Sequence, residues 1–255
     1  MKHEIRRYEN LQDLSRAAAV FICKLAKRCV THGVFTIALS GGKTPRTLYE
    51  LLAEPPFESM MPWKDTHFFW GDERCVPPDN LDSNLFTAYQ ALISRVHVPS
   101  QNIHRIPAEV EPQEEAAEAY ERILHDFFGQ PRKAGRCLPS SAESKLFSSF
   151  DLILLGVGED GHTASLFPDD QALEEKERWV AVANAPNGTP PLYRLTLTLA
   201  AINTARCALF LVSGSGKKEV VRAILDNHET ARRLYPAARV NPRGQVVWFM
   251  DNEFV

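Results

Sequence analysis

The residues best suited to chemistry lie in one stretch, Phe150 to Pro168, which reads F-D-L-I-L-L-G-V-G-E-D-G-H-T-A-S-L-F-P. Within it Gly156, Gly158 and Gly161 interleave with Glu159, Asp160 and His162. Glycines at that density let the backbone take positive φ and approach a ligand closely. Imidazole, with a reference pKa of about 6.5, can take a proton from water near neutral pH and later return it. Asp160, two residues before His162, is the group placed to orient the ring. A tight turn with a merely solvated histidine is the competing reading for any single histidine. The Gly-acid-Gly-His packing favours a site.

Three further clusters carry charge or free backbone. Ser40-Gly41-Gly42-Lys43-Thr44-Pro45 separates the apolar run V-F-T-I-A-L (34–39) from the helical R-T-L-Y-E-L-L-A. Thr44 is a suitable N-cap and Pro45 fits the first helical position, where a missing N–H costs nothing. A strand, a glycine turn and a helix in that order aim free N–H groups and a helix dipole at one point, which suits a phosphate. The G-K-T triplet is not a nucleotide P-loop, because Ile37 stands where that motif needs glycine. Asp72 and Arg74, in G-D-E-R after D-T-H-F-F-W, can hold sugar hydroxyls and a phosphate together. Lys217, in S-G-S-G-K-K, marks a second glycine turn feeding a helix, and Arg194 stands at the entry to Y-R-L-T-L-T-L. Each cluster taken singly has a plainer reading: an ordinary turn, a surface charge group, or an exposed lysine.

The elements that must position these residues alternate along the chain. Phe150 to Val157 is an apolar run of buried-strand length, as expected at the centre of a parallel sheet covered on both sides. Other strands are expected at Ile5 to Tyr8, Val34 to Leu39, Asp65 to Trp70, Trp179 to Val182, Tyr193 to Leu199, Cys207 to Val212 and Val246 to Met250. Asn10 to Cys29 places Leu11, Leu14, Ala18, Phe21, Ile22 and Leu25 at helical spacing. Ser83 can cap a helix carrying Leu85, Phe86 and Tyr89, and Glu111 to Phe128 reads as another. Thr163, Ala164 and Ser165 read as the start of a short helix. The alternation predicts an α/β fold, a mostly parallel twisted sheet with helices on both faces. Ligands bind such sheets at the carboxyl ends of the strands, where all four clusters converge. Gly129 to Ser149 reads as a surface loop inserted in a single domain spanning 1–255.

The chain has 255 residues, a formal net charge of −3, 44% hydrophobic and 24% charged residues. That near-neutral balance argues against a nucleic-acid surface, and no apolar segment is long enough to span a bilayer. Cys23, Cys29, Cys75, Cys137 and Cys207 are odd in number, scattered and outside any C-x-x-C pair. They read as reduced thiols in a cytosolic protein without a zinc site. No cofactor motif is present, and neither a metal nor an obligate protein partner is expected.

Taken in order, S-G-G-K-T-P, G-D-E-R, G-V-G-E-D-G-H-T-A-S-L-F-P, R-L-T-L-T-L and G-S-G-K resemble the 6-phosphogluconolactonase family of the glucosamine/galactosamine-6-phosphate isomerase superfamily. The resemblance covers nearly the whole chain, through P-A-A-R-V-N-P-R-G-Q-V-V-W-F-M-D. It implies a modified Rossmann-like fold and metal-free hydrolysis of 6-phospho-D-glucono-1,5-lactone to 6-phosphogluconate in the oxidative pentose phosphate pathway. It also implies that His162 is catalytic. Sugar-phosphate contacts are implied at Ser40, Gly41, Gly42, Lys43, Thr44, Asp72, Arg74, Arg194 and Lys217. Lys43 departs from the serine of many relatives, and Lys218 from a small residue. The glucosamine-6-phosphate deaminases are similar, but their central block carries a glutamate five residues after the histidine, where this chain has Phe167. A non-catalytic sugar-phosphate sensor is the third reading. It would need a DNA-binding segment, and Met1 to Thr31 has no helix-turn-helix pattern.

Overall fold

The computed structural model describes residues 3–129, 149–186, 190–226 and 228–252. Its strands, in chain order, are β1 (Glu4–Tyr8), β2 (Phe35–Leu39), β3 (Thr66–Trp70), β4 (Asp72–Arg74), β5 (Leu152–Leu155), β6 (Val180–Asn184), β7 (Tyr193–Leu197), β8 (Cys207–Val212) and β9 (Gln245–Asp251). Six of them form a sheet in the order β1-β9-β8-β5-β2-β3, with every neighbouring pair parallel. Burial explains the apolar runs: every residue of β2, β5 and β8 is buried. Helices flank this sheet: α1 (Leu11–Val30), α2 (Lys43–Leu52), α3 (Phe57–Met60), α4 (Asn84–Ala91), α5 (Gln113–Phe128), α6 (Leu199–Ile202), α7 (Lys218–Asp226) and α8 (His228–Leu234). The long α1 begins where Asn10 accepts a hydrogen bond from the Asp13 N–H at 2.9 Å, and it buries Leu14, Ala18, Ile22 and Leu25. Among the described residues no helix is long and apolar enough to cross a membrane.

Four expectations are corrected. Strands β4, β7 and β6 leave the parallel sheet and form a separate antiparallel one. Gly71 is the junction: its N–H donates to the Leu39 carbonyl at 2.8 Å, and its own carbonyl accepts from Leu197 N–H at 2.8 Å. Asp72 and Arg74 therefore sit on a strand of the second sheet rather than in a loop of the first. Tyr193–Leu197 also ends sooner than expected, because Thr198 caps α6 by accepting from the Ala201 N–H.

The N-cap of α2 is Gly42, not Thr44, and the helix starts at Lys43. Gly42 takes φ 102°, which L side chains rarely adopt, and the chain turns into the helix there without a side-chain cap. Pro45 then falls at the third helical position, still within the first turn, where its missing N–H removes no intrahelical bond.

Thr163, Ala164 and Ser165 form a turn rather than a helix. Ala164 has φ 50°, and the Leu166 N–H closes onto the Thr163 carbonyl at 3.0 Å. The hydroxyls on either side are engaged outside the turn. Thr163 donates to the Gly156 carbonyl at 2.8 Å and Ser165 to Asp72 at 2.7 Å. Helix α8 was not foreseen. The expected insert at Gly129 to Ser149 lies, except for its two end residues, outside the described residues.

Candidate active site

A cleft of about 340 Å³ opens where β2, β4, β5 and β8 end. Its walls include Ser40, Gly41, Gly42, Lys43, Thr44, Asp72, Arg74, His162 and Lys217, so the four clusters meet as the strand order requires. Asp160 stands behind His162. Arg194 is not on the cleft wall. It faces Arg74 across the β4–β7 pairing and donates to the Pro191 and Tyr193 carbonyls. Burial, and then the charge of Arg74, hold its pKa below the ordinary arginine value. Two like charges directly opposite in a sheet repel, and an anion near them would offset that cost.

The imidazole is fixed by its own loop. His162 Nδ1 lies 2.6 Å from Asp160 Oδ1, and the same oxygen accepts from the His162 backbone N–H at 3.1 Å. With Nδ1–H donating to the carboxylate, Nε2 is left as the proton acceptor. Burial alone would raise the pKa of Asp160, but the hydrogen bonds and charge of His162 outweigh it and hold the carboxyl below its usual value. The side chains are 34% and 41% exposed, so water can reach the pair. Gly158 makes the arrangement possible. A Cβ at that position would stand 2.1 Å from His162 Nδ1 and 2.5 Å from Asp160 Oδ1. The Phe167 ring packs against the imidazole with centroids 4.9 Å apart.

The glycine turn is fixed from beneath. The buried Tyr49 hydroxyl accepts from the Ser40 N–H at 3.0 Å and donates to the Ser40 carbonyl at 2.7 Å. Gly41 lies so close to Asn84 that a Cβ there would stand 1.9 Å from Asn84 Oδ1. Asn84 in turn donates to the Asp72 carbonyl at 2.9 Å and to its carboxylate at 3.2 Å. Asp72, 8% exposed, thus receives Asn84 on one carboxylate oxygen and Ser165 on the other. Its carboxylate ties the glycine turn, the second sheet and the histidine loop together.

Glu73, adjacent in sequence, has a different role. Its carboxylate accepts from the N–H groups of Arg74, Asn84 and Leu85 at 2.6–2.8 Å and from the Ser83 hydroxyl at 3.0 Å. It anchors the start of α4 and is buried away from the cleft walls. Burial raises its pKa, and those hydrogen bonds work against the rise.

Asn84 and Ser165 were missed from sequence because each reads as an ordinary helix-start residue. The signal was present in Asn84: an amide directly after a serine cap, on a helix otherwise apolar at that end. Among the described residues no group of His, Cys, Asp and Glu could hold a metal ion. Burial pushes the thiols of Cys23, Cys75 and Cys207 up to about 11, so they stay protonated at neutral pH.

Comparison with known proteins places this architecture. Residues 9–248 match the family described as glucosamine-6-phosphate isomerases/6-phosphogluconolactonase. A 6-phosphogluconolactonase of Synechocystis sp. is 40% identical over 240 residues, covering 94% of this chain and 91% of its own. The structure of a 6-phosphogluconolactonase from Trypanosoma cruzi superposes with a TM-score of 0.82 at 31% identity, covering 99% of this chain and 96% of that one. A monomeric glucosamine-6-phosphate deaminase superposes with a TM-score of 0.78 at 19% identity, over 98% of each chain. At that identity the last likeness concerns the fold alone.

Proposed function

The chain belongs to the family of glucosamine-6-phosphate isomerases and 6-phosphogluconolactonases, and we propose that it hydrolyses 6-phospho-D-glucono-1,5-lactone with His162 as general base. The observation that carries this is His162, held by Asp160 and open to water on the wall of a cleft that also holds a glycine turn and Lys217. A lactone is an ester, so its opening needs a water made nucleophilic and an oxyanion stabilised. Nε2 takes a proton from the attacking water while Asp160 stabilises the imidazolium that forms. Hydroxide adds to the lactone carbonyl, and the negative oxygen is held by Arg74 and loop N–H groups. The ring C–O bond then breaks, and the imidazolium gives its proton to the departing oxygen. The acid product ionises to 6-phosphogluconate.

The sugar phosphate is held at the far end of the cleft by Ser40 to Thr44, with Lys217 and, from behind the wall, Arg194 supplying charge. Binding energy spent there positions the carbonyl against the base. Asp72, its carboxylate already held by Asn84 and Ser165, accepts from a sugar hydroxyl. The reading takes the chain as one domain, since the cleft draws on both sheets.

Phe167 weighs against the deaminase alternative. An isomerisation that shuttles protons between carbon and oxygen needs a further acid/base group near the histidine, and here a buried phenyl ring packs on the imidazole. The test is direct. The lactone is generated in situ from glucose 6-phosphate, and its disappearance is followed above the spontaneous rate. Faster disappearance with enzyme is expected, with no ammonia released from glucosamine 6-phosphate. Ammonia release without lactone hydrolysis would overturn the reading.

A further inference from the structure

One charged group on the cleft wall has no part in the chemistry above. Glu159 lies between two glycines of the histidine loop, and its carboxylate rests on the other glycine turn. A Cβ on Gly216 would stand 2.3 Å from Glu159 Oε1. Gly216 immediately precedes Lys217, and Glu159 and Lys217 line the same cleft. Lys217 is only partly exposed and makes no ion pair within 4.0 Å among the described residues. A carboxylate is thus built in beside the cation without being bonded to it.

We propose that Glu159 is the resident counter-charge of Lys217 and that it limits how tightly the cleft grips a phosphate. The inference rests on the proposed binding of a sugar phosphate at Lys217. Partial burial disfavours a charged ammonium, and a nearby carboxylate offsets that cost in the empty enzyme. Lys217 behaves accordingly: burial lowers its pKa, and the charges of Glu159 and Asp251, the latter at the end of β9, oppose the shift. When a phosphate arrives, the same carboxylate repels it. Substrate and product carry the same phosphate, so grip on it is uniform binding, which lowers KM without raising kcat and delays product departure. A repelling neighbour keeps that grip moderate while leaving the cation in place.

The experiment is a double-mutant cycle read by calorimetry, with inorganic phosphate and 6-phosphogluconate as the titrants. Glu159→Gln is expected to tighten both by about threefold, the effect of one charge roughly 6 Å away in a water-like dielectric. In a Lys217→Met background the same substitution should still tighten both by about that factor, because the carboxylate repels the phosphate directly. The gain of Glu159→Gln should also vanish at lower pH than the wild type's own phosphate affinity does as pH rises. Without the carboxylates' full support, Lys217 loses its proton sooner. Unchanged or weaker binding in Glu159→Gln would overturn the proposal and make Glu159 a hydroxyl acceptor or a bystander. Loss of the tightening without Lys217 would overturn it too, since the carboxylate would then not act on the phosphate. So would a pH dependence of phosphate affinity that Glu159→Gln leaves unchanged, since the carboxylate would then not support the Lys217 charge. Phosphate binding needs no turnover, so a failure of lactone hydrolysis by the wild type would count against the proposed function and leave this result separately readable.

Discussion

The turn at Ser40–Lys43 and the loop from Gly156 to Leu166 leave neighbouring parallel strands at the same edge of the sheet, yet they are held by different means. The turn offers backbone. Its conformation depends on a tyrosine hydroxyl beneath Ser40 and on the absence of a Cβ at Gly41. The loop offers a side chain. Its conformation depends on Asp160 holding the imidazole, on Gly158 leaving room for both, and on Thr163 and Ser165 bonding outward. A backbone site spreads its dependence over several residues, whereas a side-chain site concentrates it on one.

The comparison breaks most sharply at His162. His162→Asn keeps similar size but cannot take a proton, so kcat should fall by about 10²–10⁴-fold with KM little changed. Lactone consumption, corrected at each pH for the enzyme-free rate, checks this. The mutant should also lose the acid limb of the rate profile. Near wild-type kcat with an unchanged limb would remove His162 as the base.

Next in size is Gly158→Ala. The added methyl must displace the imidazole or the carboxylate, and a shift on the order of 1 Å in a catalytic group costs about 10²-fold. The loss should appear in kcat, while affinity for 6-phosphogluconate stays close to wild type. A fall in affinity alone would show that the two loops are not separable in this way.

On the phosphate side, Lys217→Ala should lower kcat/KM about tenfold to a hundredfold, since a charge-assisted hydrogen bond contributes roughly 1.5–3 kcal/mol. Unphosphorylated gluconolactone should already be a poor substrate for the wild type, and the mutation should make it little worse. Equal efficiency of the wild type on both lactones would refute the phosphate assignment.

The smallest effect sharpens the comparison best. Tyr49→Phe removes the hydroxyl that serves both backbone groups of Ser40, and Tyr120→Phe does the same for Trp70 at the end of β3. Each should cost about 1–3 kcal/mol in urea unfolding, the penalty for stranding inward-facing polar groups. Only Tyr49→Phe should also raise KM, by a few fold, because only Ser40 belongs to the cleft. Matched kinetic effects in the two mutants would mean that Ser40 is not a binding turn.

Most of this was legible in the chain itself, for a physical reason. Buried strands such as 152–155 and 207–212 write themselves as uninterrupted apolar runs, and the clusters that follow them must share one edge if the sheet is parallel. The second sheet was hidden because Asp72–Arg74 is three residues long and polar, so no periodicity marks it. Its partner Tyr193–Leu197 does alternate, yet Leu195, Thr196 and Leu197 are all buried. The polar Thr196 faces the histidine loop and accepts the Ser165 N–H, a reason that pattern alone does not reveal. The Thr44 cap failed because a glycine at positive φ can begin a helix with no side chain at all. Ser165 was misplaced for the converse reason: its hydroxyl bonds to Asp72, 93 positions earlier, and local propensity knows nothing of that partner.

The sheet order also sets a timetable. Among the described strands β1 pairs with β9 alone, and the Trp248 indole reaches His3 across a separation of 245 residues. As the polypeptide emerges from a ribosome, β2, β3 and β5 can assemble early, but β1 has no strand to pair with until β9 has been made. Its composition suits that wait. Three of its five residues, Glu4, Arg6 and Arg7, are charged, so the waiting strand offers little to a neighbouring nascent chain. The β1–β9 ladder is thus the most non-local pairing of the six-stranded sheet.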